Sequence, residues 1–152
     1  CEGDDYWIDQ DKLESQVAAL EENQTCDLCF HPARIKNQLN DDEMSVICRH
    51  IIGEKVIPVE EVIAGGGGFC QIDSLLFRSK IVADIPKWVL AAPVGDFYIQ
   101  VMGSMRGGAL YLDREMSVYR TGLATSWTKN KNKYETTQIC RVRKSMKSNS
   151  MI

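Results

Sequence analysis

Cys1-Glu2-Gly3-Asp4-Asp5-Tyr6-Trp7 opens the chain with three carboxylates in four successive positions and two aromatics behind them. Carboxylates this close repel one another unless something cationic sits between them. Hard divalent ions such as Mg2+ or Mn2+ take oxygen ligands of this kind and keep room for substrate phosphates. A metal-diphosphate site is therefore one reading of the stretch, and on it the chain starts where a catalytic domain is already half built. The other reading is that acidic residues beside a helix start cap it and remain solvated. The residues downstream decide between them.

A chain of 152 residues fits one domain with a real core. Its 44% hydrophobic and 26% charged residues are the fractions of a soluble globular protein. No apolar run approaches the roughly 18 residues of a membrane span, and no signal peptide is visible. The absence of an initiator Met makes the chain look cut from something longer. The net charge of −3 is unevenly spread. Residues 1–128 carry 11 Lys/Arg against 20 Asp/Glu, a net −9, and residues 129–152 carry 7 against 1, a net +6. The acidic body argues against a nucleic-acid surface, which needs a clustered positive face. In the basic tail, Lys129, Lys131, Lys133, Arg141, Arg143, Lys144 and Lys147 either touch anionic lipid or a phosphorylated acceptor, or are simply solvated.

Six cysteines raise the question of zinc or disulfides. Cys26-x-x-Cys29 with His31 is the one close group, but Thr25 to His31 has the period-2 pattern of a strand, on which the two thiols diverge. Reduced cysteines in a cytosolic setting are the simpler reading.

Along the chain, Asp9 can cap a helix that runs to about Glu22 with Leu13, Val17 and Leu20 on one face, and Asn23 ends it. The strand of Cys26 follows, then a polar stretch from Lys36 to Glu43 that reads as an exposed loop. Pro58 opens a short helix that Gly65 stops. Gly65 to Gly68 is a hinge for a closing loop, a backbone that must approach a ligand, or a flexible connector. Ile72 to Arg78 reads as a strand, and Ser79 as the cap of a helix that Pro86 interrupts. From Asp96 another helix carries Tyr98, Val101, Met102 and Met105 on one face until Gly107-Gly108. The short apolar runs Ala109 to Leu112 and Met116 to Tyr119 complete the body. This alternation predicts an α/β layered domain.

Taken in order, Cys1-Glu2-Gly3-Asp4-Asp5-Tyr6-Trp7, Leu28-Cys29-Phe30-His31, Leu76-Phe77-Arg78, Ala92-Pro93-Val94-Gly95-Asp96 and Met116-Ser117-Val118-Tyr119-Arg120 resemble the family 2 glycosyltransferases over roughly residues 1–127. The resemblance implies a GT-A fold, a Rossmann-like α/β domain that transfers a sugar from a nucleotide-diphosphate donor, a UDP-sugar being favoured, to a saccharide or lipid-linked acceptor. It implies inversion, dependence on Mg2+ or Mn2+, and work on a cell-surface polysaccharide precursor at the cytoplasmic face of the membrane. Glu2-Gly3-Asp4 is similar to the family's acidic D-x-D motif. Asp4 matches the metal-ligating carboxylate, Glu2 lies toward the ribose or a metal-bound water, and Asp5 is an adjacent support. Asp96 matches the catalytic base, with Gly95 where many relatives have Glu. Tyr119-Arg120 resembles a closing Tyr-Arg pair whose Arg120 faces the diphosphate, although Gly122 stands where a histidine often follows.

The resemblance also implies that the first βαβ units, which supply most of the pocket for the nucleotide base, precede this chain. Residues 1–128 would then be the C-terminal portion of a GT-A domain that is incomplete at its N-terminus. A central sheet without its first strands exposes an apolar edge and face open to self-association. The competing expectation is a non-catalytic interaction or scaffold module of the same fold, in which the carboxylates only cap and solvate. A zinc module on Cys26, Cys29 and His31 is a third.

Overall fold

A computed structural model describes residues 3–39, 44–83, 85–90, 92 and 95–122. The elements run β1 (Tyr6–Trp7), α1 (Lys12–Glu22), β2 (Leu28–Phe30), β3 (Ala33–Asn37), β4 (Met44–Ile47), β5 (Lys55–Ile57) and α2 (Val59–Gly65). After 3-10 turns at Gly66–Gly68 and Ile72–Ser74 come β6 (Leu76–Phe77), α3 (Ser79–Ala83), α4 (Lys87–Leu90), α5 (Gly95–Ser104), β7 (Ala109–Tyr111) and β8 (Ser117–Thr121). Glu2 and the basic tail lie outside the described residues.

The result is a mixed α/β arrangement with two mixed sheets, ordered β5-β7-β2-β6 and β1-β8-β3-β4. Each has a parallel pair at its centre and antiparallel strands on its flanks. The two parallel pairs are successive along the chain, because only His31 and Pro32 separate β2 from β3. Pro32 has no N–H to give a ladder, so pairing breaks there and the strand passes from one sheet to the other. The partner segment makes the same passage with three extra residues. Leu28 faces Ala109 but Arg34 faces Val118, so the offset grows from 81 to 84. The intervening Asp113, Arg114 and Glu115 supply carboxylates to Arg49 and Arg34 and a guanidinium to Asp9.

Every residue of β2 and β7 is buried, which is why both read as unbroken apolar runs rather than alternating ones. Leu28, Phe30, Ala109 and Tyr111 face one core with Ile57, Val62 and Cys70, and Cys29 and Leu110 face the other with Leu20, Cys26, Leu112 and Met116. Each large side chain so buried contributes roughly 1.5–3 kcal/mol. On the first side α5 lies close to β2, since a Cβ on Gly103 would meet the Leu28 side chain at 2.9 Å.

Helix α1 departs from the expected facing. It buries Lys12, Gln16 and Leu20, while Leu13 and Val17 are 45% and 50% exposed. The cause is a polar partner set for Lys12 and Gln16, described below. Asp9 is not the residue before the helix. Its Oδ1 accepts the Asp11 N–H at 2.9 Å and its other oxygen pairs with Arg114 at 2.6 Å. The glycine run, one of whose expected readings was a free connector, is held by contacts along its length. A Cβ on Gly65 would overlap the Phe69 ring. Gln100 Nε2 donates to Gly67 O at 3.1 Å, and Cys48 Sγ donates to Gly68 O at 3.4 Å. His50 stacks on Phe69 at 4.0 Å.

At the start of β7, Gly107 has φ +98°, and a Cβ there would come within 2.5 Å of Thr25 O. Both the conformation and the space require glycine. Gly107→Ala is expected to cost about 1–3 kcal/mol, read as a lower urea midpoint at unchanged slope. A midpoint equal to the parent's would show that the turn relaxes without penalty.

Candidate functional site

The acidic turn is placed by β1, which pairs with β8 so that Tyr6 faces Val118 and Trp7 faces Ser117. That register brings Arg120 alongside Asp4 and Asp5. The Arg120 backbone N–H donates to Asp5 Oδ1 at 2.9 Å, and its guanidinium Nε donates to the Asp4 carbonyl. The same guanidinium lies 5.8 Å from the centre of the Tyr6 ring. Arg120 therefore fixes the backbone of the turn. The Asp4 carboxylate is only partly buried, and it makes no hydrogen bond or ion pair among the described residues.

Asp5 points inward. Burial pushes its carboxyl up to about 6, against the Arg120 N–H bond, with the charges of Asp73 and Asp4 adding to the rise. Its Oδ2 is buried and has no hydrogen-bond partner. Beneath it lies Asp73, 1% exposed, with neither carboxylate oxygen hydrogen-bonded. Burial raises its pKa too, while the Ser117 hydroxyl beside it, short of good hydrogen-bond geometry, and the Lys12 ammonium work the other way. Burial also lowers Lys12 to about 8, opposed by Asp73. The Lys12 ammonium donates to Gln16 Oε1 at 2.7 Å and sits 4.5 Å from the centre of the Trp7 ring. Gln16 in turn donates to Ser74 O at 2.8 Å, and the Trp7 indole to Asp73 O at 3.2 Å. This polar layer under the turn is what rotates α1.

Asp96 stands in the first turn of α5, exposed. Among the described residues no hydrogen bond or ion pair ties it to Asp4, Asp5 or Arg120. Its connection to them is through the backbone. Gln100, one helical turn on and on the same face, is fully buried and grips Cys70 by both amide groups, accepting from its N–H and donating to its carbonyl at 3.2 Å each. Three residues later the chain reaches Asp73 and the Trp7 indole. Residues 70–74 thus strap the helix of Asp96 to the layer beneath the acidic turn.

Asp73, Lys12, Gln16 and Gln100 were not among the expected site residues. Asp73 and Gln100 interrupt apolar stretches, and that interruption was their one visible signal. Ile72–Ser74, expected to begin a strand, is a 3-10 turn, which aims the Asp73 carboxylate inward.

The Cys26, Cys29 and His31 group is buried. Burial raises both thiols, Cys29 to about 12, which disfavours the thiolate that zinc requires. Burial also holds His31 down at about 4, its Nδ1 2.9 Å from the Pro32 carbonyl. Among the described residues no three His, Cys, Asp or Glu gather in a metal-holding group. The acidic turn nonetheless holds oxygen donors of the type that a hard divalent cation takes. It offers one carboxylate open to solvent and one orphaned buried oxygen, and Mg2+ commonly takes only one or two carboxylates, with water and phosphate oxygens completing its shell.

No family model matches the chain. It is similar to uncharacterized proteins of Mycobacterium bovis and of Mycobacterium tuberculosis, 32% identical over 130 residues in each case. The match covers 84% of this chain and 35% of each relative, so the chain spans about a third of the length of the curated relatives it matches.

Proposed function

We propose that this chain is the metal- and acceptor-side part of an inverting, metal-dependent glycosyltransferase of family 2 with a GT-A fold. It would transfer a sugar from a nucleotide-diphosphate donor, a UDP-sugar being favoured, to a hydroxyl of a saccharide or lipid-linked acceptor. The observation that carries the reading is the acidic turn itself. Asp4 is held by its backbone while its carboxylate makes no hydrogen bond or ion pair among the described residues, beside an Asp5 whose buried Oδ2 has no partner among them.

In this reading Asp4 ligates Mg2+ or Mn2+, Asp5 supports it from below, and Glu2 faces the ribose or a metal-bound water. The ion would act as a Lewis acid that neutralises charge on the departing diphosphate. Arg120 holds the turn in place and adds a fixed positive charge beside it. Asp96 takes the proton from the acceptor hydroxyl as that oxygen attacks the anomeric carbon. The strap through residues 70–74 sets the spacing between base and metal side. A cytoplasmic setting, with the basic tail against the inner face of the membrane, belongs to the same proposal. Among the described residues no helix is long and apolar enough to cross a membrane.

A second reading, a non-catalytic interaction module, is favoured by the exposed apolar stripe of Leu13 and Val17 on α1 near the half-exposed Trp7 and Ile8. Manganese binding separates the two. The glycosyltransferase reading expects free Mn2+ to lose its paramagnetic resonance signal on adding the chain, and Asp4→Ala to weaken that binding at least about tenfold without changing the thermal midpoint. Equal binding by the variant would remove Asp4 from the metal site and leave the interaction module as the better account.

A further inference from the structure

A shallow, open cavity of about 450 Å³ lies at the other end of the strands from the acidic turn, lined by Glu21, Gln24, Arg78, Ser79, Lys80 and Arg106. It lies where the β2–β7 pair begins, since Asp27 directly precedes β2 and Arg106 precedes β7 by two glycines. The acidic turn pairs with β8, the far continuation of the same strands. The two sites share no residue.

Asp27, 2% exposed, does not line the cavity but lies behind it, paired with three of its lining residues. Arg106 donates to it from Nε at 2.8 Å and from Nη2 at 2.5 Å, Lys80 Nζ lies 2.9 Å away, and Arg78 Nε 3.7 Å away. Arg78 also spans Glu21 at 2.9 Å and Leu20 O at 2.5 Å. Three cations thus face two carboxylates, one of them the exposed Glu21, and one positive charge is left over. The Lys80 ammonium has two further N–H groups, and the Gln24 amide and Ser79 hydroxyl make no bond among the described residues. The side chains of Lys80 and Arg106 are half exposed, so their free donors face the cavity. Five of the six lining residues are hydrogen-bond donors, and the volume is that of a small-ligand pocket. The same Arg106 and Lys80 contacts hold the Asp27 carboxyl down at about 2, Arg106 chiefly.

We propose that this cavity is a binding site for a compact phosphate dianion, bridged between the Lys80 ammonium and the Arg106 guanidinium with Ser79 and Gln24 as neutral donors. The same chemistry is offered by a soluble phosphate ester and by the headgroup of an anionic lipid. The test is calorimetric titration of the full chain with inorganic phosphate, in EDTA so that the acidic turn holds no divalent ion, against chloride at matched ionic strength. It is paired with sedimentation on phosphatidylcholine vesicles with and without phosphatidic acid.

The expected result is saturable phosphate binding that Lys80→Gln weakens about five- to tenfold at unchanged thermal midpoint and that Asp4→Ala leaves unaltered. Lys80 rather than Arg106 carries the test because removing Arg106 also strips Asp27 of its main partner. Co-sedimentation with phosphatidic acid that Lys80→Gln reduces assigns the headgroup as the source. Soluble binding alone assigns a free ester. Failure of both probes to bind, binding insensitive to Lys80→Gln, or binding lost in Asp4→Ala overturns the proposal. None of these outcomes depends on sugar transfer.

Discussion

In the longer parent protein that supplies the rest of the donor pocket, Asp96→Asn is expected to lower sugar transfer by about 10²- to 10⁴-fold while leaving Mn2+-dependent UDP binding and the thermal midpoint where they are. The substitution is isosteric, and Asp96 is exposed with no hydrogen bond or ion pair among the described residues, so the folded state loses almost nothing with it. What it loses is the one oxygen pair at the start of α5 able to take a proton. The loss should appear in kcat, with KM for the donor little changed, because the group acts only as the acceptor oxygen becomes nucleophilic. Release of UDP from a UDP-sugar with acceptor present gives the rate, and calorimetry with UDP and Mn2+ gives the binding. Parallel loss of binding and rate would make Asp96 a support of the pocket. An unchanged rate would remove it from the chemistry altogether.

The parts of the fold legible in the sequence are those set by local chemistry. Leu28-Cys29-Phe30 and Ala109-Leu110-Tyr111 read as strands because buried parallel strands carry apolar residues on both faces. Asn23 and Pro58 mark helix ends as caps, and Asp96 marks a helix start as an acidic residue in its first turn. Tertiary partners reset the rest. Leu13 and Val17 carry the stronger apolar signal on α1, yet Lys12 and Gln16 are buried, because Trp7, Asp73 and the Ser74 carbonyl meet them there and pattern alone cannot anticipate such partners. Lys36 and Asn37 look like the start of a loop and instead extend β3, whose ladder to β8 is made by backbone groups that side-chain polarity does not report. Within the candidate site, Asp4, Asp5 and Arg120 come together, while Asp96 is set apart on its own helix. The buried layer that joins the two halves rests on contacts 30 to 66 residues apart in sequence, from Gln100 with Cys70 to Trp7 with Asp73.

Loss of the Asp27 charge is the stability change expected to be largest, about 3 kcal/mol for Asp27→Asn. Asp27 is buried, and its two oxygens take the Arg106 fork and the Lys80 ammonium while its backbone carbonyl accepts the Arg78 N–H at 2.9 Å. Arginine hydrogen bonding is the main cause that holds the carboxyl at about 2, below an ordinary value of 3.8. That difference corresponds to about 2 kcal/mol, an upper figure because Lys80 and Arg106 are half exposed and solvent screens them. An asparagine would forfeit it and also turn an amide N–H₂ toward guanidinium donors, which supplies the remaining destabilisation. At about 2–4 °C per kcal/mol for a domain of this size, the thermal midpoint should fall by roughly 6–12 °C.

The pH dependence carries the more specific signature. A carboxylate with a depressed folded pKa stabilises the fold fully above its unfolded value, and that contribution drains away as pH falls from about 4 through about 2. Urea denaturation at pH 7 and at steps below pH 4 should therefore show the parent converging on the variant in acid. The Asp27→Asn curve should lack this component, whatever slope the other carboxylates impose on both. A constant gap between the two proteins down to pH 2 would mean that Asp27 acts through packing and not through its charge. Arg78 and Arg106 would then be held by their other partners, the Leu20 and Cys26 carbonyls for the first and the Gln24 carbonyl for the second.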